Sequence, residues 1–330
     1  MDKRQRLENT ILGETTDRVP VAAWRHWPGD NERAADLASA TLAFQQMYDW
    51  DLMLVYPAST YAVADYGARA QWDGRADGDT TLVKPAINRS LEWTELRPLD
   101  PSRGELGKYL EAIRLTQAGW RADDTPILAV IYSPLAQAVR MTGGDTTIRT
   151  LRTHPDRVRT GLNVITETTL GFIDALKQLG VDGIYYIIEQ ADYHVLSEAE
   201  YAAFGVPYDR KILEALPPRF WFNMVQIRGK APMLDAIGSY GVQAIHWDTV
   251  DSRTDMQKGR AVVRGAICGG LSTGQHCLFG TPTIMTGVAR EVLASMDRRR
   301  LILAPGDAVP VSTPLSNLRA LRDVVAAGVV

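Results

Sequence analysis

Cysteine is nearly absent from this sequence: its 330 residues hold two, Cys268 and Cys277. Two are too few for a disulfide framework and suit a reducing compartment. Long apolar runs are missing as well. No stretch approaches the roughly 18 consecutive apolar residues of a membrane-spanning helix. The opening residues, MDKRQRLENTILGETTDRVP, lack the apolar core of a signal peptide. A cytoplasmic protein away from the membrane is therefore expected. Charge of either sign is not in excess. With 36 basic and 39 acidic residues the net charge is −3, so the basic footprint of a nucleic-acid binder is absent. Neither GxGxxG nor GxxxxGK[ST] occurs, which removes support for dinucleotide or nucleoside-triphosphate binding. There is no low-complexity segment, short repeat or linker, so residues 1–330 are read as a single domain.

What the sequence has is apolar content of 45% gathered into eight short runs, each ending in polar or functional residues. They are VPVAAW (19–24), DLMLVYP (51–57), PILAVIYSP (126–134), GVDGIYYIIEQ (180–190), RFWFNMVQ (219–226), VQAIHWD (242–248), RGAICGG (264–270) and LILAPGD (301–307). Helix-like segments separate most of them. Near-continuous apolar runs are what a parallel sheet covered on both faces requires. The pattern predicts an α/β fold, a modified TIM (β/α)8 barrel whose active site lies at the carboxyl ends of the strands. A short polar helix is expected over about 1–18, a helix over Asn31 to Tyr48, and a longer one over about 155–179. Residues 58–100, glycine-rich with the strand-like TTLVKPAI, read as a β-hairpin excursion. Ser102 with Glu105 and Ser197 with Glu200 read as capping boxes. Thr281-Pro282 and Thr313-Pro314 read as N-cap and first-turn pairs.

The stretches RVPVAAWRHWPGD and YDWDLMLVYPASTYAVADYGA, with the later GGL…GTP and LILAPGD…TPLSNLRAL, resemble the uroporphyrinogen decarboxylase superfamily, which also holds zinc-dependent, cobalamin-linked methyltransferases. The resemblance runs over about 17–325 and implies a modified TIM barrel, a homodimer, and a divergent member. The decarboxylases carry an arginine-rich RQAGRY-type segment after the first strand, where this sequence reads Arg25-His26-Trp27-Pro28. Their essential aspartate after the second strand falls on Ala58, and their tyrosine after the third falls near Arg140. Losing that aspartate argues against heme biosynthesis. The methyltransferases place a His-x-Cys pair at the end of the fifth strand and a Cys in the last Gly-Cys turn, a set that suits zinc. Here those positions read Gln226-Ile227-Arg228 and Gly306-Asp307, so none of the three ligands is kept.

Several constellations remain. Arg25 and His26 follow the first strand and could bind an anion, with His26 as acid or base; a salt bridge and a hydrogen-bonded turn histidine are the structural alternative. Arg140 and Arg228 could clamp a carboxylate, or pair with local acids such as Glu189 or Asp307. His246 and Asp248 flank Trp247, and residues two apart on a strand share a face. They could form an acid/base pair or two metal ligands, or a solvated turn. Glu189, Gln190, Tyr193 and His194 follow the fourth strand and could position a polar substrate. Tyr56 and Tyr132 could offer phenol hydroxyls or simply fill the core. Cys268, His276 and Cys277 look metal-like, but Cys268 lies within a strand and reads as a buried small residue.

The cationic, hydrogen-bonding set favours a lyase that decarboxylates a small or medium carboxylated metabolite other than uroporphyrinogen. In that reading arginines anchor the anionic substrate, His26 or His246 transfers the proton, and no cofactor is needed. The alternative is a methyl transferase linked to a corrinoid protein or other one-carbon donor. It requires zinc or another transition metal on a rebuilt site drawn from His246, Asp248, Glu189 or Asp307. A third class is a non-catalytic metabolite-binding barrel.

Overall fold

The computed structural model describes residues 1–121 and 124–326. Its main sheet has seven parallel strands: β1 (Met53–Val55), β4 (Ile127–Tyr132), β5 (Gly183–Ile188), β6 (Met224–Ile227), β7 (Ala244–Trp247), β8 (Ala266–Leu271) and β9 (Leu301–Pro305). They lie side by side in that order, with helices between them, in the arrangement of a TIM-barrel-type fold. A separate antiparallel pair, β2 (Arg69–Gln71) and β3 (Thr81–Lys84), stands within residues 58–100. Every residue of the seven parallel strands is buried, which is why their sequences are almost uninterruptedly apolar.

The first expected strand, 19–24, does not form a ladder. Its only bridge is Val21 against Leu303. Pro20 has no N–H to give, so it contributes only its carbonyl, which accepts from Leu303 N–H at 2.9 Å. The Val21 N–H turns instead to the carboxylate of Asp51, at 2.7 Å. This segment still spans the gap between β9 and β1, because Ala22 N–H reaches Leu303 O (3.0 Å) and Asp51 N–H reaches Val21 O (2.9 Å). Asp51 is fully buried and bonded to Arg6 (2.7 Å) and Arg18 (2.6 Å). A side-chain ion cluster thus completes the seam where a regular strand is missing. The fifth expected run also shortens at its start. The Asn223 carboxamide accepts from Ile184 N–H and donates to Phe220 O, substituting for ladder bonds.

Local signals fared unevenly. The helix Pro155–Leu179 ends at Gly180, whose φ of 80° suits glycine. Ser197 and Glu200 form the reciprocal capping box, and Thr281 caps the helix Pro282–Ser295. Ser102 does not cap the next helix. Its hydroxyl donates to Asp100, and the Glu105 N–H goes to Asp65 across the structure. Pro314 is not the first helical residue either; its carbonyl accepts from Asn317 and Leu318, and the helix begins at Leu315.

Outside the barrel lining, Asp209 is buried on the helix Val206–Glu214 and accepts hydrogen bonds from three phenols. Tyr186 donates at 2.7 Å and Tyr240 at 3.1 Å, and Tyr201 completes the set. Burial raises its carboxyl to about 6, although the three phenols oppose the rise. A carboxyl whose folded pKa exceeds its unfolded value favours the folded state most when protonated. Stability from Asp209 is therefore gained as pH falls from above 6 toward 4. Relative to Asp209→Asn, wild type should gain roughly 2–3 kcal/mol of unfolding free energy between pH 7 and pH 4. Urea denaturation across that range checks this; a difference independent of pH would contradict it.

Candidate active site

The carboxyl ends of four strands carry the charged groups expected from the sequence, and the fold draws most of them into one hydrogen-bonded network. Arg228, just beyond β6, is its hub. Its Nη1 donates to Glu189 Oε1 beyond β5 at 2.9 Å, and its Nη2 donates at 3.0 Å both to Asp307 Oδ1 beyond β9 and to the Tyr56 hydroxyl beyond β1. Gln226 Nε2, from β6 itself, also donates to Asp307 Oδ1 at 3.0 Å. Arg140 enters from the helix Pro134–Thr142, which Ser133 caps through a bond from Ala136 N–H. Its Nη2 meets Glu189 at 2.5 Å and its Nη1 meets Ser59 Oγ at 2.8 Å, while the guanidinium lies 4.4 Å over the Tyr132 ring.

Sequence reasoning missed Asp79 and Ser59, both in the excursion between β1 and β4. Asp79 stands 3.9 Å from Arg140 and 4.0 Å from His26 Nδ1. The signal was the Asp77-Gly78-Asp79 turn. Gly78 has φ of 76°, and a Cβ there would fall 3.0 Å from the His26 Cβ and 2.6 Å from Val311 Cγ1. Only glycine lets the hairpin close onto the barrel mouth at this point.

These contacts settle the electrostatics. Burial alone would drive Arg228 toward neutrality, but Asp307, Tyr56, Tyr132 and Glu189 hold it well above its ordinary value. Burial would raise Asp307, yet Arg228, Gln226 and the Ala308 N–H keep it below the usual carboxylate range. Asp79 is likewise lowered against its burial, by His26 and Arg140. Tyr132 is pushed up to about 12, chiefly by burial. His26 is lowered, first by burial and then by Arg228 and Arg140, while Asp79 and Asp307 oppose the shift. At neutral pH two guanidiniums face three carboxylates around a neutral imidazole.

The other expected residues do not join this network. Arg25 lies against the Trp27 ring and donates to the Val311 carbonyl. Tyr193 and His194 stand about half exposed on the loop after β5, with His194 Nδ1 3.8 Å from Asp192. Gln190 is buried beside Glu189. His246 is fully buried in β7, and both ring nitrogens are taken. Pro305 O can only accept, so Nε2 carries the proton toward it at 2.9 Å, and Nδ1 accepts from the Tyr185 hydroxyl at 2.7 Å. Burial holds this imidazole down at about 4. No nitrogen is left for exchange with a substrate, and the face shared with Asp248 is not formed. Asp248 instead accepts from the N–H groups of Val250 and Asp251 in its own turn. Cys268 lies in β8 and Cys277 in a π-helical turn, both buried, and burial pushes their thiols up.

Among the described residues, the buried polar atoms without a protein partner include His26 Nδ1, Tyr132 OH, Arg140 Nε, Gln190 Oε1, Gln226 Oε1 and Arg228 Nε. Unpaired buried groups are costly. Their concentration in and beside one cluster marks the place where a polar molecule can bind. A cavity of about 370 Å³ lies instead at the amino ends of the strands, lined by Thr15, Arg18, Leu293, Arg298 and Val325 among others. It contains none of these groups. Gln226, Arg228 and Asp307, at the positions that the resemblance gives to zinc ligands, do converge. Their donor set is an amide, a guanidinium and a carboxylate already shared between them, and it does not fit zinc. Among the described residues no three or more His, Cys, Asp or Glu side chains are grouped to hold a metal ion.

A family model for uroporphyrinogen decarboxylase (URO-D) matches residues 2–327. The methylcobamide:CoM methyltransferase MtbA of Methanosarcina acetivorans is 23% identical over 96% of this chain and 95% of its own. A uroporphyrinogen decarboxylase of Mycobacterium sp. is 25% identical, but over 55% of this chain and 54% of its own. A methyltransferase from Methanosarcina mazei superposes with a TM-score of 0.86 at 20% identity, covering 99% of this chain and 98% of the other.

Asp79 is the group that most raises the His26 imidazole against its burial. Replacing Asp79 by Asn should move the His26 titration, followed by NMR, to still lower pH and leave His246 near 4. An unchanged or higher His26 midpoint would contradict the contact.

Proposed function

Since the chain belongs to the uroporphyrinogen decarboxylase (URO-D) family, we propose that it is a methyl-group transferase acting with a methylated cobamide or a related one-carbon donor carried by a partner protein. The observation that carries this reading is the near full-length likeness to methylcobamide:CoM methyltransferases, against partial likeness to the decarboxylases. The ion cluster at the strand ends supports it. An arginine-anchored carboxylate substrate needs free guanidinium faces, whereas Arg140 and Arg228 are already bonded to Glu189 and Asp307. A substrate carboxylate would enter a site where acidic groups already outnumber arginines. Decarboxylation is therefore the less supported of the two activities.

The residues suggest a division of labour. His26 is neutral at pH 7 and has an unpartnered Nδ1, so it can take the proton of a protic acceptor. Asp79 then stabilises the imidazolium. The acceptor's lone pair forms the new bond to the methyl carbon, the old bond's electron pair leaves with the donor, and the proton rests on His26. Arg228 Nε–H and the Tyr132 hydroxyl are free to orient the acceptor, and Gln226 Oε1 can receive a hydrogen bond from it.

The test supplies methylcobalamin with a panel of thiol, phenol and amine acceptors, and follows loss of the methylated donor's absorbance. Wild type should demethylate the donor with at least one acceptor, and His26→Ala should slow that turnover by about 10²–10⁴-fold. Carbon dioxide release from carboxylated substrates, without any methyl donor, would instead establish a lyase.

A further inference from the structure

We infer that the Arg228 guanidinium is a built-in cation standing where the metal-dependent members of this fold hold their metal, so that the site works with no metal bound there. The inference rests on the methyl-transfer reading only for what the site is used for. Three facts about the residues carry it. First, Gln226, Arg228 and Asp307 come from two strands far apart in sequence, yet Arg228 Nη2 and Gln226 Nε2 both meet the same Asp307 oxygen at 3.0 Å. These positions therefore surround one point in space, as ligands must.

Second, the group at that point is a cation with no lone pair to offer. A guanidinium is planar, holds its charge across the physiological range and presents five donors. Here its Nη1 and Nη2 bridge Glu189, Asp307 and the Tyr56 hydroxyl. It joins two carboxylates from two different strand ends, as a dication between anionic ligands would do. A metal ion brought to the same place would face a fixed positive charge, one shared carboxylate and an amide. Third, Arg228 Nε has no protein partner although it is buried, and Gln226 Oε1 is in the same condition. One donor and one acceptor beside the fixed charge can hold a polar ligand by hydrogen bonds. The substrate atom here is therefore hydrogen-bonded to a cation and not coordinated to one. The acceptor's proton is then removed by the His26 imidazole without help from a Lewis acid.

The experiment uses untagged full-length protein from zinc-supplemented medium, with metal content by plasma mass spectrometry and thermal melts with chelator, Zn²⁺ or Mn²⁺. Wild type should carry well below one transition metal per chain, and neither chelator nor added metal should move its Tm. Arg228→Ala removes the cation that Glu189 and Asp307 share and leaves Glu189 with Arg140 and Asp307 with the Gln226 amide. Its Tm should fall by roughly 4–7 °C, and Zn²⁺ or Mn²⁺ should bind and restore most of the loss. One metal per wild-type chain, or a wild-type Tm lowered by chelator, overturns the inference; so does an Arg228→Ala protein that melts with wild type. The wild-type measurements decide the matter even where the variant does not fold. Metal-free protein that releases carbon dioxide would sink the transfer reading and leave this inference standing.

Discussion

The site depends on one guanidinium held between two carboxylates. Arg228 bonds to Glu189 and Asp307 and to the Tyr56 hydroxyl, and so ties the carboxyl ends of β1, β5, β6 and β9 together. Charged groups withdrawn from water are tolerated only when paired and hydrogen-bonded. Each member of the network is therefore conditional on the others. Without Arg228, Glu189 would retain Arg140 alone and Asp307 would retain an amide. Through this interlocking the mouth carries an ion cluster in which acidic groups slightly outnumber arginines, and not a cationic trap for polyanions.

The amino end of the barrel is held by the same physics with different residues. Asp51 is bonded to Arg6, Arg18 and the Val21 N–H, and it secures the segment that Pro20 prevents from forming a strand. Between these two ionic ends the strand interiors are packed with buried apolar and aromatic side chains, among them Trp24, Tyr185 and Trp247. His246 belongs to this packed layer. Its ring is edge-on to Trp24 at 5.0 Å and donates to the Pro305 carbonyl, so one of the two histidines expected to move the proton is part of the floor beneath the site. His26 lies on the segment after the missing strand, and its Nδ1, unlike either ring nitrogen of His246, has no protein hydrogen-bond partner.

Much of this was legible in the sequence. Seven buried parallel strands impose near-continuous apolar runs, and the residues that end those runs are the ones that meet at the mouth. Arg140, Arg228, Glu189 and Asp307 were all identified, and pairing of the arginines with Glu189 or Asp307 stood beside the anion clamp as the alternative. The choice between the two was not legible, because spacing along a chain carries no information about which strand ends face each other. The structure takes the second reading, with both arginines paired. Asp79 was out of reach for a different reason: it sits in a hairpin outside the strand-helix rhythm, and only the Gly78 turn hinted that the hairpin folds back. Pro20 was visible in the sequence, and its missing N–H could have warned that the first strand would be irregular.

If the network is one unit, Arg228 and Glu189 must be energetically coupled. The most direct measurement is a double-mutant cycle with Arg228→Met and Glu189→Gln, reading unfolding free energy by urea denaturation at pH 7. A coupling energy of about 1–3 kcal/mol is the expected result, with the double variant more stable than the sum of the two single losses allows. A coupling within about 0.5 kcal/mol of zero would mean that the two groups act independently, and the account of the site as an interlocked ion network would be wrong.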